Sequence, residues 1–237
     1  GRERPTKDEP QPRHVLRLAC SPPLRRVEFV DETLRDGIQS PSVFDPTIED
    51  KIAILRLMDQ LGIDVADVGL PGAGQRAIDD VIALCEVIRD EKLSIKASCA
   101  ARTHPADIKP IIEISQETGV EIEVLTFLGC SPIRSLAENW DLKRMKDLTA
   151  TAVKMSSDAG LPVSFVTEDT IRSKPETLEA LFRTAIDNGA TRLILCDTVG
   201  HASPAGIRAL VEWSLELVSK TGVDVELDWH GHNDRGL

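Results

Sequence analysis

What most constrains the fold of this chain is a repeat of length rather than of letters. Seven short apolar runs lie near Val27–Val30, Val65–Val68, Ser94–Ser98, Glu121–Thr126, Pro162–Thr167, Arg192–Cys196 and Asp224–Trp229. Between them come longer amphipathic stretches near 47–61, 75–91, 104–118, 139–159, 175–188 and 204–220. The runs recur about every 33 residues, the length of a strand-helix unit with a right-handed crossover. That period predicts a parallel sheet, and strands rich in Val, Ile and Leu without clean polar alternation are expected where protein covers both faces. A (β/α)8 barrel and an open doubly wound sheet both satisfy the pattern. The phosphate loop of a dinucleotide-binding sheet is missing, because Gly72-Ala73-Gly74 follows the second run and lacks the sixth glycine and a suitable acidic partner. The helix boundaries carry their own marks: Pro175 and Pro204 sit where a first turn tolerates proline, and Gly119 and Gly189 close preceding helices.

Composition narrows the classes of function. Residues 1–24 hold five prolines (Pro5, Pro10, Pro12, Pro22, Pro23) and too little apolar matter to offset the entropy of ordering, so they read as a flexible arm ahead of one domain spanning 25–237. A net charge of −11 disfavours phosphate backbones and anionic membrane surfaces, so neither nucleic acid nor membrane is an expected partner. Five scattered cysteines without a CxxC indicate neither a disulfide framework nor a zinc knuckle, which fits a reducing, cytoplasmic setting.

In a barrel, function collects where the strands end. The last run closes with His230-Gly231-His232, and side chains two apart on a strand share a face, so both imidazoles can serve one divalent cation. Asp36, just beyond the first run in Asp31-Glu32-Thr33-Leu34-Arg35-Asp36-Gly37-Ile38-Gln39, can supply an oxygen. Arg35 beside it stays cationic and presents fixed donors to a developing negative charge. Arg102, Ser131, Glu168, Asp197 and Thr198 follow other runs; capping of the next helix is the competing explanation for the Asp, Ser and Thr members.

The Asp-x-Thr-Leu-Arg-Asp-Gly-x-Gln segment, with Asp197-Thr198-Val199-Gly200 and His230-Gly231-His232-Asn233-Asp234 in that order, resembles the DRE-TIM metallolyase superfamily. Within it the chain is similar to the 2-isopropylmalate, homocitrate and citramalate synthase branch, and Gln39 favours the condensing enzymes. The resemblance implies a TIM barrel, a divalent ion (Mg2+, Mn2+ or Zn2+), acetyl-CoA and a 2-oxo acid as substrates, release of CoA, a homodimer, and a place in amino-acid biosynthesis of the leucine type. It implies Asp36, His230 and His232 as metal ligands and Arg35 and Glu168 as catalytic groups. Thr198, Arg102, Gln39 and Ser131 would contact substrate. Asn233 and Asp234 would orient the histidines, and Asp67, where the branch commonly has glutamate, would lie beside the metal rather than on it.

Other departures are Leu125 and Arg134 where the branch has histidines and Cys130 where it has threonine, which leaves the acceptor open. At a 33-residue period an eighth unit would need roughly 30 further residues. The chain is therefore expected to end after strand seven, without that unit or a C-terminal subdomain, and to have little activity alone. A related aldolase or lyase, or a noncatalytic truncated paralogue, are the alternatives. The amidohydrolase pattern fits less well, since it places HxH on the first strand and further histidines on the fifth and sixth.

Overall fold

Strand parity sets which side chains line the inside of this sheet. The computed structural model of the protein describes residues 26–40 and 44–233. Its seven parallel strands are β1 (Val30–Asp31), β2 (Val65–Asp67), β3 (Lys96–Arg102), β4 (Ile122–Gly129), β5 (Val163–Glu168), β6 (Arg192–Asp197) and β7 (Glu226–Gly231), paired in sequence order. Seven helices connect or flank them: α1 (Ile48–Leu61), α2 (Gln75–Glu91), α3 (Pro105–Thr118), α4 (Pro132–Glu138), α5 (Leu142–Asp158), α6 (Pro175–Asp187) and α7 (Pro204–Ser219).

On the helix-facing side, Val124, Val163, Phe165, Leu193 and Leu195 are fully buried among side chains of the surrounding helices. The opposite parity points inward. There Leu125, Ile194 and Cys196 form a small cluster with Val166, distinct from the two larger cores outside the sheet. This inner cluster is what a closed or strongly curled parallel sheet requires and a flat two-sided sheet would not concentrate.

The curl brings the first and last strands together. At the strand N-termini, Arg192 Nη2 lies 3.2 Å from Glu28 Oε2, across 164 residues of sequence. The same guanidinium pairs with Glu226 and stands 3.6 Å from Glu123 and 3.4 Å from Asp228, so one nearly buried cation faces four carboxylates in the base of the barrel. At the opposite end, β7 and the segment after β1 meet at the site described below.

The helix-strand alternation expected from the sequence is present, with two local differences. β4 runs on to Gly129, and the segment after it forms α4, which was not expected. Ser131 Oγ accepts from Arg134 N–H and Pro132 opens the turn, giving a short capped helix too brief to show periodicity. β1 has only two residues in register with β2. The expected 1–24 arm and Asp234 lie outside the described residues. Cys85, Cys99, Cys130 and Cys196 are free and buried. No described helix is long and apolar enough to cross a membrane.

Candidate metal centre and active-site cavity

The strand β7 points Glu226, Asp228 and His230 inward by its two-residue period, and His232 follows on the same side. Residues 32–36 turn back toward them through backbone bonds from Arg35 and Gly37 to the Glu32 carbonyl, which aims Asp36 at the two imidazoles. His230 Nε2 and His232 Nε2 are 3.3 Å apart, and Asp36 Oδ2 is 3.7 Å from the first and 3.4 Å from the second. Three donors bound at about 2.1 Å to one ion, at angles of roughly 90–110°, stand about 3.0–3.4 Å from one another. The donor set fits a divalent cation in both chemistry and spacing, with two imidazoles and one carboxylate leaving further positions open.

Glu32 supports this arrangement from behind. Its Oε1 is 3.4 Å from His230 Nδ1, the nitrogen facing away from the other donors. A carboxylate there holds the Nδ1 proton and leaves the Nε2 lone pair for an ion. Burial opposes ionisation of Glu32, but the bond to His230 and the charge of Arg35 outweigh it and hold its carboxyl below the ordinary range.

Arg35 gathers three carboxylates. Its Nε donates to Asp67 at 2.9 Å, Nη1 donates to Asp36 at 3.1 Å, and Nη2 pairs with Glu32. Burial works against the guanidinium charge, but Asp67, Glu32 and Asp36 together raise its proton affinity further. Asp67 is fully buried; that burial and the nearby charge of Glu32 push its carboxyl up against the opposing pull of Arg35.

These groups open onto a cavity of about 330 Å³. Arg35, Asp36, Gln39, Glu168, Thr198, His230 and His232 line its polar part, while Leu70, Leu125, Phe127, Val166 and Ile194 form an apolar wall. Thr198 Oγ1 accepts from Asp169 N–H at 2.8 Å, which leaves its own proton free to be donated.

Residues 26–237 match the HMGL-like family. The chain belongs to that family. The resemblance to the DRE-TIM superfamily, seen first in the Arg35-Asp36 and His230-His232 segments, holds for this HMGL-like chain. It is similar to the 2-isopropylmalate synthase of Solidesulfovibrio magneticus, with 33% identity over 214 residues, covering 90% of this chain and 40% of that protein. Homocitrate synthase AksA of Methanopyrus kandleri is 34% identical over 210 residues, covering 87% of this chain and 49% of its own. The HMGL-like chain thus spans between two fifths and one half of the length of these relatives. A crystal structure of the HMG-CoA lyase from Brucella melitensis superposes with a TM-score of 0.61 at 14% identity, covering 85% of this chain and 80% of that one. At that identity the likeness concerns the fold.

Two residues expected at the site are placed elsewhere. Arg102 turns away from the cavity: its Nε and Nη2 donate to Asp107 at 2.7 and 2.8 Å, and its side chain is 65% exposed. The competing attraction is a carboxylate five residues on, held in the first turn of α3. Ser131 is buried as the N-cap of α4 and does not line the cavity, so the capping explanation applies to it. Asn233 is exposed, and among the described residues it is Glu32 that contacts His230 from behind. Glu32 was missed as a functional residue although it lies inside the quoted motif. Its inward direction follows from the same parity that places Val30 inside, but a two-residue strand gives too short a pattern to read.

Proposed function

We propose that this HMGL-like chain carries the catalytic site of a metal-dependent acyltransferase that condenses acetyl-CoA with a 2-oxo acid and releases CoA. The observation that carries the reading is the convergence of Asp36, His230 and His232 at the polar end of an otherwise apolar cavity. A divalent ion (Mg2+, Mn2+ or Zn2+) held by those three side chains would act as a Lewis acid toward the ketone of the acceptor. The protein's own groups do the rest. Thr198 donates its hydroxyl proton to the acceptor carboxylate, and Gln39 closes the rim. Glu168 takes a proton from the acetyl methyl, and the resulting carbanion-like carbon bonds to the acceptor's carbonyl carbon. Arg35 stabilises the negative charge that collects on the former ketone oxygen, which then takes up a proton. Water from solvent cleaves the thioester, giving a 2-substituted malate and the CoA thiol. Asp67 fixes Arg35 from its buried side.

The names of the sequence relatives support condensation over cleavage. A homodimer, a cytoplasmic setting and a role in amino-acid biosynthesis of the leucine type belong to the same proposal. The test is thiol release from acetyl-CoA by the full natural protein over a panel of 2-oxo acids, with and without chelator. The expected result is release that depends on both the oxo acid and the metal. Cleavage of a 3-hydroxyacyl thioester without oxo-acid-dependent release would select a lyase instead. Metal binding with neither activity would select a noncatalytic role.

A further inference from the structure

Glu168 sits at the end of β5 directly opposite Gly129 on β4 in the sheet register. At Gly129 the sheet has no side chain, and that space is used. A methyl built there would lie 2.7 Å from Arg134 Nε, 3.0 Å from its Cγ and 3.2 Å from its Cβ. The Arg134 side chain therefore passes across the bare backbone of Gly129. Its Nη2 reaches to 3.6 Å from Glu168 Oε2, with Glu138 Oε1 also at 3.6 Å. Its Nε is buried without a hydrogen-bond partner among the described residues, so the stem is held by packing and not by polar bonds of its own. The helix that carries Arg134 begins at the buried cap Ser131, whose hydroxyl accepts from Arg134 N–H at 3.3 Å.

We propose that Arg134 is a positioning residue: laid over Gly129, it holds the Glu168 carboxylate at the cavity wall. Arg134 does not itself line the cavity, whereas Glu168 does. A carboxylate on a strand end, partly exposed and with no other ion-pair partner among the described residues, has several rotamers open to it. A cation fixed on one side selects among them. The same arrangement explains what Ser131 does, since it starts the turn that aims Arg134. The catalytic consequence rests on the condensation reading, in which Glu168 is the base, but the holding of Glu168 does not.

Three variants test it in the full natural protein. Arg134→Ala removes the cation, Gly129→Ala displaces it without removing it, and Arg134→Lys keeps the charge. Arg134→Ala and Gly129→Ala are each expected to lower kcat about ten-fold while KM for both substrates stays within about two-fold, because misplacement of a reacting group costs rate more than binding. Arg134→Lys should recover most of the loss. Combined with Glu168→Gln, Arg134→Ala should add less than about a two-fold effect, since its route runs through the missing carboxylate. A full additional loss in that double variant overturns the proposal, as does an unchanged kcat in both single variants. The second readout is the 13C carboxyl resonance of Glu168, assigned by its disappearance in Glu168→Gln. It should move in Arg134→Ala and Gly129→Ala and be retained in Arg134→Lys; a resonance that stays put in all three overturns the proposal whatever the activity. Wild-type protein that releases no thiol with any oxo acid defeats the condensation reading, and the resonance alone then decides whether Arg134 holds Glu168.

Discussion

Replacing Arg192 by Met, which keeps the length of the stem and deletes the charge, should destabilise the protein strongly at neutral pH and weakly in mild acid. Arg192 is 11% exposed and faces Glu28, Glu123, Glu226 and Asp228. Glu226 and Glu28 are 64% and 36% exposed, so solvent screens most of what they would lose. Glu123 and Asp228, at 15% and 27%, carry the effect. Burial raises the Asp228 carboxyl from 3.8 to about 6, with Arg192 pulling it down and Glu123, Glu226 and Glu28 adding to the rise. A displacement of that size corresponds to about 3 kcal/mol. Its sign follows from proton counting. Between 3.8 and about 6 the folded state holds a proton that the unfolded state has released, so stability from this group is greatest below 3.8 and is lost as pH rises through about 6. Without Arg192 the folded carboxyl rises further and the neutral form persists to higher pH. Leaving nearly buried carboxylates unpaired at pH 7.5 should cost about 2–4 kcal/mol, and at pH 5, where Asp228 is neutral, about half of that. Urea denaturation of both proteins at the two pH values, compared by midpoint at a common m, measures this. Equal losses at the two pH values, or no loss at pH 7.5, would refute the reasoning.

Glu32→Gln should weaken divalent-metal affinity about 10–100-fold in calorimetric titration with Mn2+, because the group behind a ligating histidine sets its tautomer and basicity; an unchanged affinity would remove Glu32 from the site. Arg102→Ala should leave thiol release within about two-fold of wild type, since its side chain is committed to Asp107 outside the cavity. A loss beyond about ten-fold would return Arg102 to the site. The apolar wall of Leu70, Leu125, Phe127, Val166 and Ile194, with Arg35 already paired to three carboxylates, favours an acceptor with an uncharged aliphatic side chain. Turnover of 2-oxoisovalerate should exceed that of 2-oxoglutarate at least about ten-fold, the cost of burying an unpaired second carboxylate; the reverse order would mean a cation enters the pocket.

Long periodic segments made the architecture legible. The helices α1, α2, α3, α6 and α7 each show an apolar stripe over three or more turns, and a repeat of strand and helix at one spacing leaves few topologies open. The histidine pair was legible for a similar reason, since a two-residue spacing on a strand has one geometric meaning. What escaped was set by partners near in space or by segments too short for a period. Arg102 ends a strand pointing inward by parity, yet Asp107 draws it out. Ser131 opens a helix of seven residues, a start that sequence alone cannot distinguish from a pocket wall. Glu32 follows a strand of only two residues, and Arg134 owes its direction to the absence of a side chain at Gly129.

The inside of the sheet divides its charges by position. At the strand N-termini one arginine is set among four acids, and at the C-termini one arginine, Arg35, is set among three, two of which, Glu32 and Asp36, also face the histidines. Between these layers lies the apolar cluster of Leu125, Val166, Ile194 and Cys196. Each layer holds a carboxyl that burial raises, Asp228 in the lower and Asp67 in the upper. In the lower one Asp228 is raised toward neutrality, so protonation near its displaced pKa relieves part of the excess. In the upper one Glu32 is held below the ordinary carboxylate range and Asp36 stands 3.4 and 3.7 Å from two imidazole nitrogens. There a divalent cation held by Asp36 and the two histidines would relieve part of the excess, and the open cavity is the side from which one can arrive. The same excess of negative charge therefore bears on the pH dependence of folding at the base and, in the proposed reading, on cation binding at the mouth, where the histidines are.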